Sequence, residues 1–386
     1  MQKVISASAF FIFLSFFVPN ALAKDCEKIW LIENLQINEI NENPSLAKQN
    51  AEKKVSRLAL QKLVRKVVIN SSAINNDFFN DLTDDQIDGL IDYRLIKDEK
   101  ILSNRYIGSF DFCFLKEKIT KLFFHNKIKW SELYSRPIIV FPVWKTDFVL
   151  RLWKDPNPIK LVLDKKIYNH KGLTKLIFPK NKVGVLRSID AKLAFDGDEK
   201  SIARAIERSG ASRALNMHFV IQKIKFDKAF NLEDLNLTQI SEDKIFKLNA
   251  KASLYNKNGK KQGILYQKNS YFNIDLVDEI ITKTIDEIVV TLEEKWKLAN
   301  VFIGYNLNEV EIFVSVSDLK DWIKSIKILK SLPGINRVYT KKLDKNGAYL
   351  SLLVEGGVDR FISIILENKL PFSGSKKNLI FESEKL

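Results

Sequence analysis

The sequence predicts a chain of mixed α+β and α/β class, divided into three small domains. Three observations carry that expectation. At 386 residues the chain is too long for one core, because folded chains split into domains of roughly 100–150 residues. Apolar residues make up 46%, enough to pack several cores and too many for a disordered or collagen-like chain. Runs that alternate apolar and polar residues are interleaved with stretches that repeat every three to four, so strands and helices are mixed throughout.

The chain opens on a leader pattern. Lys3 precedes an apolar run over 4–18 that is rich in Phe, including Phe10, Phe11, Phe13, Phe16 and Phe17. Pro19 and Asn20 break the run, and Ala21-Leu22-Ala23 supplies the small-x-small pattern cut by a signal peptidase. Residues 1–23 are therefore expected to be a signal peptide cleaved after Ala23, which predicts a soluble periplasmic protein. A retained anchor is the competing reading, but the run of about 15 residues is short of the roughly 20 that span a bilayer. Lipidation at Cys26 is disfavoured by Lys24 and Asp25, where small residues are needed.

Residues 24–133 are expected to form an N-terminal α+β domain in the order strand, helix, strand, strand, helix. A strand-like run covers 29–37. Asn43-Pro44 is a helix start, with Asn as cap and Pro in the first turn. Ala47, Ala51, Val55, Leu58, Ala59, Leu63 and Val67 then recur at helical spacing. A short acidic helix follows over 83–92, capped by Thr83. Tyr106, Gly108, Phe110, Phe112 and Phe114 alternate strictly, which makes a strand with an aromatic face. The second helix runs through 122–125.

Residues 134–305 are expected to form a small α/β domain with a β-hairpin and a long helix. The nearly continuous apolar run over 137–144 suits a buried strand. Asp155-Pro156-Asn157-Pro158 reads as a turn, and 176–178 as a short strand. Asp198 caps a helix with stripe Ile202, Ala205 and Ile206, closed by Gly210. A strand over 215–221 follows, then two β runs over 246–255 and 263–272 joined by the turn signal Asn258-Gly259. Val277, Ile281, Ile285, Ile288, Leu292 and Trp296 mark one face of the long helix, whose acids Asp286, Glu287, Glu293 and Glu294 exclude a membrane span.

Residues 306–386 read β-α-β-β-α-β, the ferredoxin-like order. Strands are expected over 310–316, 338–343 and 349–354. Leu319, Trp322, Ile323, Ile326 and Leu329 mark one helix, and Val358, Phe361, Ile362, Ile365 and Leu366 the other. Leu370 opens a short edge strand, and the polar stretch 373–386 is expected to fray.

Chemistry is sparse in this sequence. His125, His170 and His218 fall in different elements, so no metal site is expected. Asp196-Gly197-Asp198 with Glu207 is spaced like a calcium loop, but Lys200 and Ser201 stand where that loop needs a ligand and glycine, and capping explains it better. There is no Gly-x-Ser-x-Gly and no phosphate-binding glycine loop, and Gly356-Gly357 reads as a turn before a helix. Asp81, Asp84, Asp85, Asp88 and Asp92 fit a solvated helix face better than an acid–base pair. No catalytic residue, no cofactor and no small-molecule substrate is expected. Cys26 and Cys113 are the only cysteines. In an oxidising compartment they are expected to pair, closing a long loop worth roughly 4–5 kcal/mol; two unpaired small hydrophobes is the competing reading. Lys and Arg number 62 against 47 Asp and Glu, a net charge of +15. That excess suits contact with an anionic lipid or cell-wall surface, although the lysines are spread over the whole chain. Nucleic acid is not expected outside the cytoplasm.

Arg136-Pro137-Ile138-Ile139-Val140-Phe141-Pro142-Val143-Trp144, followed by Leu152-Trp153-Lys154-Asp155-Pro156-Asn157-Pro158, resembles the exported bacterial family catalogued as domain of unknown function twenty-sixty-six. The alanine-lined helix of Ala47, Ala51 and Ala59, the 106–115 strand and the helix–strand segment over 198–214 are similar to it as well. The resemblance implies an exported fold and brings no activity, cofactor or catalytic residue. More remotely, the middle segment resembles the small α/β domains of periplasmic assembly proteins such as the amino-terminal part of the Tol translocation protein. The expected function is a non-catalytic interaction or assembly module of the cell envelope, with an envelope protein as partner. An envelope hydrolase with unidentified acidic residues, or a binder of anionic cell-wall or lipid components, are the alternatives.

Overall fold

The computed structural model describes residues 26–69, 76–179, 183–224, 244–301, 307–332, 334–376 and 378–385. The expected signal peptide lies outside the described residues. The fold is mixed α+β, with three sheets and eleven α-helices among those residues.

The first sheet is built from β1 (Leu31–Ile40), α1 (Pro44–Val67), α2 (Asn76–Asn80), α3 (Asp84–Asp88), β2 (Ile91–Leu102), β3 (Arg105–Phe114) and α4 (Lys116–His125). Its strand order is β1-β3-β2, antiparallel throughout. The Asn43 side chain caps α1 by accepting from the Ser45 and Leu46 amides, with Pro44 beginning the helix. Ala47, Ala51, Val55, Ala59 and Leu63 face the sheet and are fully buried. Small side chains on the helix make room for large ones on the strand: Tyr106, Phe110, Phe112 and Phe114 fill the same core, with rings 6.0–6.5 Å apart along β3. Thr83 and Gln86 form a reciprocal capping box on α3, which is shorter than the helix expected over 83–92 because Ile91 already belongs to β2.

The second sheet comprises β4 (Ile138–Lys145), β5 (Leu150–Arg151), α5 (Pro158–Asn169), β6 (Leu176–Ile177), α6 (Val183–Leu186), α7 (Ala191–Asp196), α8 (Glu199–Ser209), β7 (Arg213–Lys223), β8 (Ile245–Tyr255), β9 (Lys261–Asn273) and α9 (Val277–Ala299). The strands run β5-β4-β7-β8-β9, with β6 beside the start of β4. β4 and β7 are parallel, whereas β7, β8 and β9 form an antiparallel meander. Both faces are covered, which is why β4 reads as an unbroken apolar run. Ile138 and Val140 pack with Ile159 and Leu163 of α5 and Ile281 and Ile285 of α9, while Ile139, Phe141 and Val143 pack with Val185, Ala194, Ile202 and Ile206 on the other side. The stretch 155–158, expected only to turn, starts α5: Asn157 is its cap and Pro158 its first residue. The 256–260 loop of the β8–β9 hairpin presses on α8. A Cβ on Gly259, whose φ is +75°, would lie 1.9 Å from the Glu199 carbonyl oxygen, so only glycine fits there.

The third sheet comprises β10 (Leu307–Ser315), α10 (Leu319–Ser331), β11 (Ile335–Asp344), β12 (Gly347–Glu355), α11 (Gly357–Glu367), β13 (Phe372–Ser375) and β14 (Asn378–Glu382), in the order β11-β12-β10-β14-β13. Here an expectation fails. The stretch 373–386 was expected to fray, yet β14 inserts beside β10 and runs parallel to it, pairing Ile312 with Leu379 through Ser315 with Glu382. Leu379 and Phe381 alternate with the outward Asn378, Ile380 and Glu382 and drop into the core, where Phe381 meets Phe372 at 4.7 Å. Burial of those two side chains outweighs the polarity of the segment around them.

Candidate functional site

The C-terminal end of α9 is where the three sheets meet, and it carries two buried charges, Glu293 and Lys297. Trp296 stands in the core of the third sheet with Leu133 and Leu173, and its indole N–H donates to the Leu133 carbonyl at 2.6 Å. The next residue, Lys297, is 1% exposed. Its ammonium donates to the carbonyls of Val68 (2.7 Å) and Arg65 (3.1 Å) at the end of α1, and pairs with Glu294 at 2.6 Å. Carbonyls at a helix C-terminus have no intrahelical donor and concentrate negative potential, so a cation is the matching group. Glu367, at the end of α11, accepts the Arg136 amide at 2.9 Å, and the Arg136 Nε donates to the Glu367 carbonyl at 2.8 Å.

Glu293 holds the same junction from another side. Its Oε1 accepts the Thr174 amide (2.8 Å) and hydroxyl and lies 2.9 Å from His170 Nε2, while Oε2 accepts the Leu173 amide at 3.0 Å. Burial opposes the charge, but the hydrogen bonds from His170 and Thr174 outweigh it and hold the carboxyl below its ordinary range. Nearby, burial pushes the Lys66 ammonium down to about 8; it donates to the Lys28 carbonyl at 2.7 Å and sits over the Tyr134 ring.

The remaining buried acids are equally committed. Asp111 accepts the Asn34 amide and the Lys97 ammonium, and Glu132 accepts the Trp130 indole with Lys116 at 3.3 Å. Asp111, Glu132 and Glu293 are the buried carboxylates among the described residues, and no two share a partner. An acid–base pair needs two carboxyls facing one substrate; these three each face their own donors. Asp84 and Asp88 pair with Arg57 and Arg94 at 2.9 and 2.8 Å.

The cysteines and histidines are placed as follows. Cys26 and Cys113 are joined, with Cα atoms 5.9 Å apart, which ties the segment before β1 to the C-terminal end of β3. His125 closes α4 with its Nδ1 2.7 Å from the Lys121 carbonyl, His170 meets Glu293, and His218 stacks on Phe195 beneath the end of α7. Among the described residues no group of three or more His, Cys, Asp or Glu is placed to hold a metal ion. No helix among them is long and apolar enough to cross a membrane. Glu293 and Lys297 were missed by sequence reasoning, because charged positions on a long helix read as its solvent face. Their one signal is the i, i+4 spacing beside Leu292 and Trp296, which sets them along the buried stripe.

Outside the junction, the first sheet presents an unpaired strand edge. β2 pairs on one side only, and Tyr93, Leu95, Ile101 and Leu102 along it are exposed. The register places Tyr93 opposite Cys113, Leu95 opposite Asp111 and Leu102 opposite Arg105, which is the face away from α1.

No family model and no curated protein matches the chain. Among solved structures it is similar to the formyltetrahydrofolate deformylase of Burkholderia mallei ATCC 23344, at 10% identity over 67% of this chain and 94% of that one, with a TM-score of 0.21. The formyltetrahydrofolate deformylase of Pseudomonas putida KT2440 gives 9% identity over 68% and 91% and a TM-score of 0.19. Likeness at that level defines neither a shared fold nor a shared activity.

Proposed function

We propose that this chain is an exported, non-catalytic interaction or assembly module of the cell envelope, a member of the family that its 136–158 segment resembles. In this reading residues 1–23 are a signal peptide removed after Ala23, and the product works in the periplasm as three domains over 24–133, 134–305 and 306–386. The third is a ferredoxin-like domain enlarged by β14. A disulfide between Cys26 and Cys113 accords with an oxidising compartment. The single observation that carries the reading is β2: a twelve-residue edge strand with apolar side chains turned to solvent. Such an edge offers main-chain donors and acceptors for strand addition and side-chain contacts for selectivity. The buried carboxylates support it from the other direction, since each is engaged by side chains or amides of the fold: Asp111 by Asn34 and Lys97, Glu132 by Trp130 and Lys116, Glu293 by His170, Leu173 and Thr174.

The test is a photo-crosslinking residue placed at Leu95 in intact cells. A discrete adduct of one partner protein, lost when Tyr93→Lys is added, is the expected outcome. The same diffuse pattern from Leu95 and from the exposed Lys121 on α4 would reject the reading.

A further inference from the structure

The surface of α10 combines exposed apolar residues with a row of lysines. Leu319 is 72% and Ile323 59% exposed, at positions i and i+4 on one side of the helix. Trp322 and Ile326 border them, and a shallow open depression is lined by Trp322, Ile323, Ile326, Lys327, Lys330 and Ser331. Lys320, Lys324, Lys327 and Lys330 project from the same helix, all exposed. Its acids lie at the start and are engaged there: Asp318 caps the helix through the Asp321 amide, and Asp321 takes the Ser317 hydroxyl. Among the described residues no carboxylate lies within ion-pair distance of Lys320, Lys327 or Lys330.

This arrangement differs from the other apolar exposures. On the open face of the third sheet Phe313 and Tyr349 are 4.9 Å apart, but the lysine beside them, Lys341, is held by Glu309 and Glu311. The second depression, on α9, is lined by Glu279, Asp286 and Glu287 as well as Lys283. Among the described residues α10 joins a tryptophan-bordered apolar strip to a row of lysines. A surface that buries Leu319 and Ile323 while facing Lys320, Lys327 and Lys330 must be apolar inside and negative outside. The interfacial zone of an anionic phospholipid bilayer has that chemistry.

We propose that α10 is a docking face for anionic phospholipid membranes, lying in the headgroup plane with Leu319 and Ile323 toward the acyl chains, Trp322 at their border against the core, and Lys320, Lys327 and Lys330 toward the phosphates. The proposal is independent of the β2 reading, since it concerns a different sheet and a different partner.

The test is flotation of the full chain with vesicles of pure phosphatidylcholine and with an equal mixture of phosphatidylcholine and phosphatidylglycerol. Binding is expected on the mixed vesicles, weakening as salt is raised. Lys327→Gln and Lys330→Gln are expected to lower the partition coefficient by about fivefold each. Leu319→Ser, at a position too exposed to disturb folding, is expected to lower it by up to about tenfold. Amide exchange on vesicles should show protection centred on residues 319–331. Equal binding to both vesicle types, or binding that survives all three substitutions in a folded chain, overturns the proposal. So does self-association through this face, seen as a dimer that the same substitutions dissolve.

Discussion

At the scale of single residues, the molecule is governed by what burial does to polar side chains. His218 is an example. Burial pushes its imidazole down to about 4, with Lys251 and Lys261 adding repulsion, although the Ala194 carbonyl at 3.3 Å works the other way. In the unfolded chain the same ring titrates near 6.5. Between those two values the unfolded state takes up a proton that the folded state does not, so stability falls as pH drops from 6.5 to 4. The contribution is at most about 3 kcal/mol, from 1.36 kcal/mol per pKa unit. Urea titrations across that range should show a shallower acid decline for His218→Gln than for the parent; parallel declines would show that the ring does not carry the effect. Glu293 has the opposite habit. Its carboxyl is held below its ordinary range, so its contribution is present at neutral pH and is lost only as the pH falls below 4.5. Neither environment is readable from the sequence, where an isolated histidine and a helical glutamate look like surface residues. Only the meeting of α9 with the 170–174 loop makes Glu293 an anchor.

At the scale of elements, local signals were legible where capping and periodicity agree. Asn43 with Pro44, Thr83 as a cap, and Asp198 with Gly210 mark helix ends that the structure places at those residues. The alternation of aromatics along β3 identifies its core face directly. Asn157-Pro158 is the same cap signal as Asn43-Pro44, yet α5 was overlooked because the helical stripe after it is weak: Ile159 and Leu163 are buried but Leu161 is exposed. β14 was hidden for a different reason. Five residues give only two inward positions, Leu379 and Phe381, too few for a periodic signal to stand out. Those two positions nevertheless matter. Phe381→Ala should cost about 3–5 kcal/mol, the usual range for a large aromatic removed from a packed core. Thermal melts followed by near-ultraviolet circular dichroism would register it, and an unchanged melt would mean that β14 is not part of the stable sheet.

At the scale of the whole molecule, the junction at the end of α9 makes three cores mechanically dependent on one another. Lys297 belongs to the second sheet by sequence, yet it satisfies carbonyls of the first and lies one residue from a tryptophan in the core of the third. Lys297→Met keeps the bulk and removes the donors, leaving two carbonyls without their partner at a cost of about 1–3 kcal/mol. Calorimetry should then resolve an early transition for the first sheet that is merged with the rest in the parent chain. One cooperative endotherm in both proteins would show that the sheets are coupled by other contacts. The placement of β14 has a further bearing on how the molecule comes into being. β10 is flanked by β12 on one side, but its other neighbour arrives much later, as shown by the separation of 66 positions between Ser315 and Phe381. In a chain delivered from its amino terminus, β10 therefore keeps a bare edge until residues 378–382 follow, and the sheet closes last at that edge. A chain cut before residue 378 would leave that edge open to a foreign strand.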